Sequence, residues 1–251
     1  MNFEIPTKFA LENNRVEKEE SNVTIYKHKV ELNEMPIFRT TQNNIVIPTG
    51  KLIKLKSVDI RILACMSAIS NVANCAKSGS NTRYISVGRV NKNIGMIAKC
   101  LGMKPKKVKE QIENMLGLRT NELELKHSVD ENGSVDARFE INYINGEFIT
   151  LPYDMFEFIV LNLSNGAFKT YCNLRWICFD KYTLRFEERA ITQEYLLQLI
   201  GLSGSSKRAI RNITYVLIEL ELISIRKSYI HEHDLLGKGV TKEVIYYSIV
   251  D

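Results

Sequence analysis

The chain has 251 residues, 45% hydrophobic and 25% charged, and a formal net charge of +5. These are ordinary globular values, with length enough for one large domain or two of about 100–125 residues, and the mild basic excess fits a nucleic-acid partner only if local patches concentrate it. Five cysteines (Cys65, Cys75, Cys100, Cys172, Cys178) make an odd set without C-x-x-C spacing, which argues against a disulfide framework or zinc cluster and for buried reduced thiols.

The first twenty residues are polar, carry five glutamates and lack an apolar signal-peptide core. No run of about 18 uncharged apolar residues follows. The expectation is a soluble, cytoplasmic bacterial chain without a membrane partner, opened by a poorly ordered arm over 1–22. "NVTIYKHKVEL" then alternates as a strand, and "IPTGKLIKL" gives a second short extended piece. "SVDIRILACMSAISNVANCAK" places Ile60, Leu63, Ala64, Ala68 and Val72 at helical spacing, with Ser57 as candidate N-cap.

"IAKCLGMKPKKVKEQI" packs Lys99, Lys104, Lys106, Lys107 and Lys109 around Gly102. Ile97, Ala98 and Leu101 form the apolar face of a short helix that Gly102 can end in a left-handed conformation. Pro105 suits the first turn of the next helix, where Val108, Ile112, Met115 and Leu116 share one face. The stretch reads as a helix-turn-helix. Two alternating segments flanking Asn132-Gly133 follow, a β-hairpin by the turn preference of that dipeptide. A helix-turn-helix followed by a β-hairpin is the winged-helix order.

The order then recurs. "NNIVIPTG" and "GEFITLPY" are short apolar strands ending in Pro48 and Pro152, which stand 104 residues apart. "LSNGAFKTYCNLRWICFDKYT" matches the first helix, Ser164 taking the place of Ser57, with Phe168, Tyr171, Trp176 and Phe179 as its core aromatics. "LLQLIGLSGSSKRAIRNITYVLIEL" matches the lysine-rich stretch, Gly201 lying 99 residues after Gly102, and two strand-like runs around a Gly-rich turn close the chain. The fold class expected is α+β and helix-rich: two tandem winged helix-turn-helix domains related by internal duplication, 23–143 and 144–251, with a boundary near Tyr143–Gly146.

In the second copy Lys207, Arg208 and Arg211 project away from the apolar face of Ile210, Ile213, Leu217 and Leu220, behind Ser203, Gly204, Ser205 and Ser206. Serine hydroxyls and free amides at a helix N-terminus suit phosphate. Arg208 and Arg211 carry the fork that reads guanine in the major groove, and Lys207 a phosphate contact. In the first copy Lys104, Lys106, Lys107 and Lys109 suit backbone anchoring, while Gln111 and Asn114 are candidates for base contact or plain surface residues. The first wing, with Asp130, Glu131 and Asp136, would repel phosphate; the second, with Lys238 and Lys242 against Asp234 and Glu243, is the one expected to touch DNA. A solvated helix face explains either basic cluster alone; two, each after a helix-turn-helix glycine, favour double-stranded DNA.

The four histidines offer only the pair His231 and His233, without a third ligand, and no phosphate loop, nucleophile elbow or carboxylate pair stands out. No metal, cofactor or enzymatic activity is expected. From "FITLPYDMFEFIVLNLSNGAFKTYCNLRWICF" to Leu222 the chain resembles the winged-helix domains of plasmid and phage replication initiators of Gram-positive bacteria, including the N-terminal domain of DnaD-type primosomal proteins. The resemblance implies binding to repeated origin sequences and contact with host replication proteins, although no helicase-loading or nicking segment is recognisable. A transcriptional, partition or conjugation regulator with the same domains, and a protein-interaction module without DNA binding, stay open, as does a homodimer.

Overall fold

Pro48 and Pro152 end two short apolar strands that are each other's partners. β1 (Asn44–Pro48) pairs antiparallel with β6 (Phe148–Pro152), from Asn44 opposite Pro152 to Pro48 opposite Phe148. Ile45 faces Leu151 and Ile47 faces Ile149, and all four are buried. Alternation puts them on one face, as a half-buried strand pair requires. The computed structural model describes residues 37–38, 40, 42–48, 55–72, 82–117, 123–129, 135–142, 148–202, 207–233 and 239–250. The arm over 1–22, the strand over 22–32, the Asn132-Gly133 turn and the boundary near Tyr143–Gly146 lie outside them.

Between β1 and β6 run α1 (Ser57–Ala68), β2 (Asn71–Val72), β3 (Thr82–Ser86), α2 (Val87–Leu101), α3 (Pro105–Gly117), β4 (Leu123–Val129) and β5 (Val135–Asn142). Their sheet has the order β2-β3-β5-β4. After β6 come α4 (Tyr153–Asn162), α5 (Asn165–Cys178), β7 (Phe179–Asp180), β8 (Arg185–Phe186), β9 (Arg189–Ala190), α6 (Gln193–Ile200), α7 (Lys207–Glu219), β10 (Ile223–His233) and β11 (Gly239–Ile249). Here the sheet order is β10-β11-β9, with β7 and β8 paired separately. The architecture is α+β, with seven helices and small antiparallel sheets among the described residues.

Three helix readings are corrected. α1 starts after Lys56, and its first-turn cap is Asp59, whose Oδ2 accepts the Lys56 amide at 2.9 Å, so Ser57 is not the N-cap. It also stops at Ala68: Gln42 Nε2 donates to the carbonyls of Ser67 and Ser70, and Asn71–Val72 join β3 instead of extending the helix. α5 ends at Cys178, so Phe179 is a strand residue, 39% exposed, while Phe168 and Tyr171 are fully buried. Ser164 does cap α5, accepting the Ala167 amide. α4 was not anticipated; Met155, Phe156, Ile159 and Val160 form its buried face.

The two glycines that follow α2 and α6 behave alike. Gly102 has φ +63° and Gly201 φ +77°. Each preceding helix ends in paired bonds, Gly102 N to Lys99 O with Met103 N to Ala98 O, and Gly201 N to Gln198 O with Leu202 N to Leu197 O. Both are Schellman ends, which need a left-handed residue at that point. A β-carbon at either glycine would meet no atom within 4 Å. Gly102→Ala and Gly201→Ala therefore each lower stability by about 1 kcal/mol through the backbone alone. Denaturant midpoints of the single and double variants check this, and the two losses should add.

Polar side chains cross between the segments before and after β6. Arg61 Nη1 on α1 donates to Asn165 Oδ1 on α5 at 3.0 Å, and Nη2 donates to the carbonyls of Cys100 and Val160. In the other direction Lys169 Nζ on α5 donates to the Leu55 carbonyl at 2.6 Å. Arg61 is 3% exposed and Lys169 1%.

Candidate nucleic-acid interface

α3 and α7 owe their outward faces to the packing of their inner ones. On α3, Val108, Ile112 and Met115 are buried and Leu116 is half-buried, which leaves Lys104, Lys106, Lys107 and Lys109 exposed around its first two turns. On α7, Ile210, Ile213 and Leu217 are buried, as is Leu220 just after it, and Lys207, Arg208 and Arg211 are exposed.

Gln111 belongs elsewhere. Its Nε2 donates to Asp59 Oδ1 at 2.6 Å, so the side chain ties α3 to the N-terminus of α1 and is not presented for base contact. Asp59, fully buried, thereby receives a bond on each oxygen, from Gln111 and from the Lys56 amide. Asn114 is exposed. Ser203, Ser205, Ser206 and Lys238 lie outside the described residues, and of Lys242 only the backbone is described, opposite Ile230 in the β10–β11 ladder.

A groove of about 830 Å³ opens between α7, the N-terminal turn of α6 and the β9–β10–β11 sheet. Among the described residues Lys207, Arg211 and Lys227 supply cations to its wall and Glu194 an acidic group. Lys207 Nζ and Glu194 stand 3.3 Å apart, both well exposed, a pair that water and salt screen strongly. Tyr215, 42% exposed, and Ile225, 37% exposed, add apolar surface. Thr214 and Tyr247 lie beneath, their hydroxyls buried near one another without a hydrogen bond of ordinary geometry. Burial pushes the Tyr247 phenol up.

Lys227 and Tyr215 were not among the residues picked from the sequence. The signal was there: Lys207, Arg211 and Tyr215 recur every four residues along one stripe of α7, and Ile225 and Lys227 alternate on one face of β10. Thr192 caps α6 by accepting the Tyr195 amide at 3.2 Å, which sets the groove's end wall.

Among the described residues no three of His, Cys, Asp and Glu are grouped to hold a metal ion, and no helix is long and apolar enough to cross a membrane. No protein-family model matches the chain, and no curated protein matches it in sequence.

Proposed function

We propose that the chain is a sequence-specific, double-stranded DNA-binding protein made of two winged-helix units, and that it marks a plasmid or phage replication origin. The observation that carries this reading is a repeated order with a repeated surface. Apart from the β7–β8 pair inserted after α5 and the extra short strand β2, each half runs helix, strand, helix, helix, strand, strand: α1, β3, α2, α3, β4, β5 and then α5, β9, α6, α7, β10, β11. In the first half β5 sits between β3 and β4, and in the second β11 sits between β9 and β10. In each, a left-handed glycine precedes a third helix whose first two turns present cations. In this order the third helix is the one that enters the major groove.

The two units have different tasks. α3 offers lysines, mobile point charges that grip phosphate without reading sequence, and of its two amides Gln111 is engaged by Asp59, which leaves exposed Asn114 a turn further on. α7 offers Arg208 and Arg211, and Lys207, Arg211 and Lys227 line the groove beside it as candidate phosphate contacts. The β1–β6 ladder and the crossing bonds of Arg61 and Lys169 hold the units together, so a linked pair of contacts gains affinity through effective concentration. The replication role rests on the likeness of the segment around "LSNGAFKTYCNL" to initiator winged helices.

Selection of bound duplexes from a random library, followed by footprinting, tests the reading. The expected outcome is a preferred sequence with two protected blocks at one spacing. Arg208→Ala or Arg211→Ala relaxes the preference, each by about 1–3 kcal/mol at its base pair. Replacing Lys106 and Lys107 weakens all sequences alike and lowers the salt slope by about one for each phosphate no longer neutralised. No selection at low salt would sink the DNA reading. A selected promoter or centromere-like site, in place of an origin with direct repeats, would sink the replication role alone.

A further inference from the structure

The segment joining α5 to β9 is not a plain connection. Phe179 pairs with Phe186 and Asp180 with Arg185, and the two phenyl rings meet edge to face at 5.5 Å. The Arg175 guanidinium covers the Phe186 ring at 4.4 Å, and the Glu187 amide closes the ladder on the Cys178 carbonyl at 2.8 Å. The turn itself is pinned by one carboxylate. Asp180 Oδ1 accepts the amides of Tyr182 at 2.7 Å and Thr183 at 2.9 Å, and Oδ2 accepts from Arg189 at 3.1 Å. Those amides, together with Arg189, hold the Asp180 carboxyl below its usual range.

What this rigid turn displays does nothing for the fold. Tyr182 is 98% exposed and Leu184 73%. Leu184 sits at φ +56°, a conformation disfavoured for a leucine and natural to glycine or asparagine. Exposed Lys181 and Arg185 flank the two apolar groups. The acids beside them are already engaged, Asp180 and Glu187 by Arg189 and Glu188 by Arg226. The tip is thus apolar at its centre and positive at its edges.

Its place in the fold separates it from the β10–β11 turn, although β9, which follows it, lines the groove at Ala190. β9 meets β11 at Tyr246 and Tyr247, close to the C-terminal end of β11, whereas the β10–β11 turn lies at the other end, between His233 and Gly239. The hairpin enters from the end remote from that turn.

We propose that the 179–186 hairpin is a docking knob for a partner protein whose surface offers an apolar pocket rimmed by Asp or Glu. Tyr182 and Leu184 fill the pocket; Lys181 and Arg185 meet the rim. An exposed tyrosine on a fixed turn is the kind of anchor that dominates protein interfaces, because little side-chain freedom is lost on docking. The left-handed leucine fits a surface selected for contact at the expense of local conformational ease. This surface is independent of the DNA reading.

The test places the photo-crosslinking residue p-benzoylphenylalanine at position 182 of the full chain, in the cell that makes it, with position 229 as an exposed aromatic control. The crosslinked protein is identified by mass spectrometry, purified and titrated against the uncrosslinked chain. The expected result is an adduct through a peptide bearing Asp or Glu among apolar residues, and binding at least tenfold weaker with Tyr182→Ala, Leu184→Ala or the pair Lys181→Glu and Arg185→Glu. Leu184→Gly supplies the control for folding: its thermal midpoint should stay level or rise while binding falls. Adducts with DNA or with a second copy of the chain, no excess over position 229, or variants that bind as the parent does, would each overturn the proposal.

Discussion

Arg61→Ala should lower the unfolding free energy by about 4 kcal/mol, or roughly 10 °C in thermal midpoint for a chain of this size. Arg61 is 3% exposed and has no carboxylate partner among the described residues; its guanidinium is met by two backbone carbonyls and the Asn165 amide oxygen. Cys100 lies in the last turn of α2 and Val160 in the last turn of α4, so Arg61 receives carbonyls from two helix C-termini at once. Those ends hold the unpaired carbonyls and the negative pole of each helix, which is where a buried cation is best tolerated. Burial pulls the Arg61 pKa down, with the neighbouring Cys65 and Cys100 opposing it. Truncation leaves the Cys100 and Val160 carbonyls and the Asn165 amide oxygen without their donor and opens a cavity between α1 and α4. Arg61→Lys keeps the charge but not the fork and should recover only part of the loss. Calorimetry on the three proteins checks this, and a loss in Arg61→Ala below about 1 kcal/mol would mean the crossing contact is incidental.

This residue marks the boundary of what the sequence could tell. Apolar spacing and turn chemistry are local, and they were legible: Val108, Ile112 and Met115 on one helix, Ile210, Ile213 and Leu217 on another, and the left-handed Gly102 and Gly201 between helices. Arg61 and Lys169 are polar breaks in apolar helices, and in a sequence they read as solvent-facing, because the carbonyls that take them up come from residues tens of positions away. The pairing of β1 with β6 has the same character: each strand was readable, its partner was not. Gln111 illustrates it on the interface, since only the fold brings Asp59 within 2.6 Å. The hairpin over 179–186 failed for a different reason. Phe179 and Tyr182 continue an aromatic helical rhythm, and the competing signal, an Asp that caps its own turn at Asp180, is a single residue.

Lys169, the other crossing cation, is held far less well than Arg61, and its pH dependence should show it. Its Nζ is given one carbonyl, that of Leu55, and that carbonyl lies just before the N-terminus of α1, the positive end of a helix. Burial pushes its pKa down to about 8, against the opposing pull of buried Asp59. The sign follows from proton counting. Below pH 8 both folded and unfolded chains carry the Lys169 proton, and the folded state bears the full cost of a buried ammonium. Between pH 8 and about 10.4 the unfolded chain keeps a proton that the folded chain has released, so stability from this group rises with pH. Above that range the cost is gone. The shift corresponds to a gain of about 3 kcal/mol across the window. Other buried groups run the opposite way: burial raises the thiols of Cys65, Cys172 and Cys178, the last to about 11, and raises the Tyr153 phenol, so that each favours the folded state less as pH climbs. The measurement must therefore be a difference. Lys169→Met retains the length and apolar stem, removes the titration and leaves the thiols and the phenol in place. Urea unfolding of both proteins at pH 7, 8, 9 and 10 should show the parent gaining on the variant by about 2–3 kcal/mol, with most of the rise above pH 8. A flat difference would place the Lys169 ammonium in water, and a falling one would mean that Asp59 outweighs burial and that the two form an ion pair at the junction.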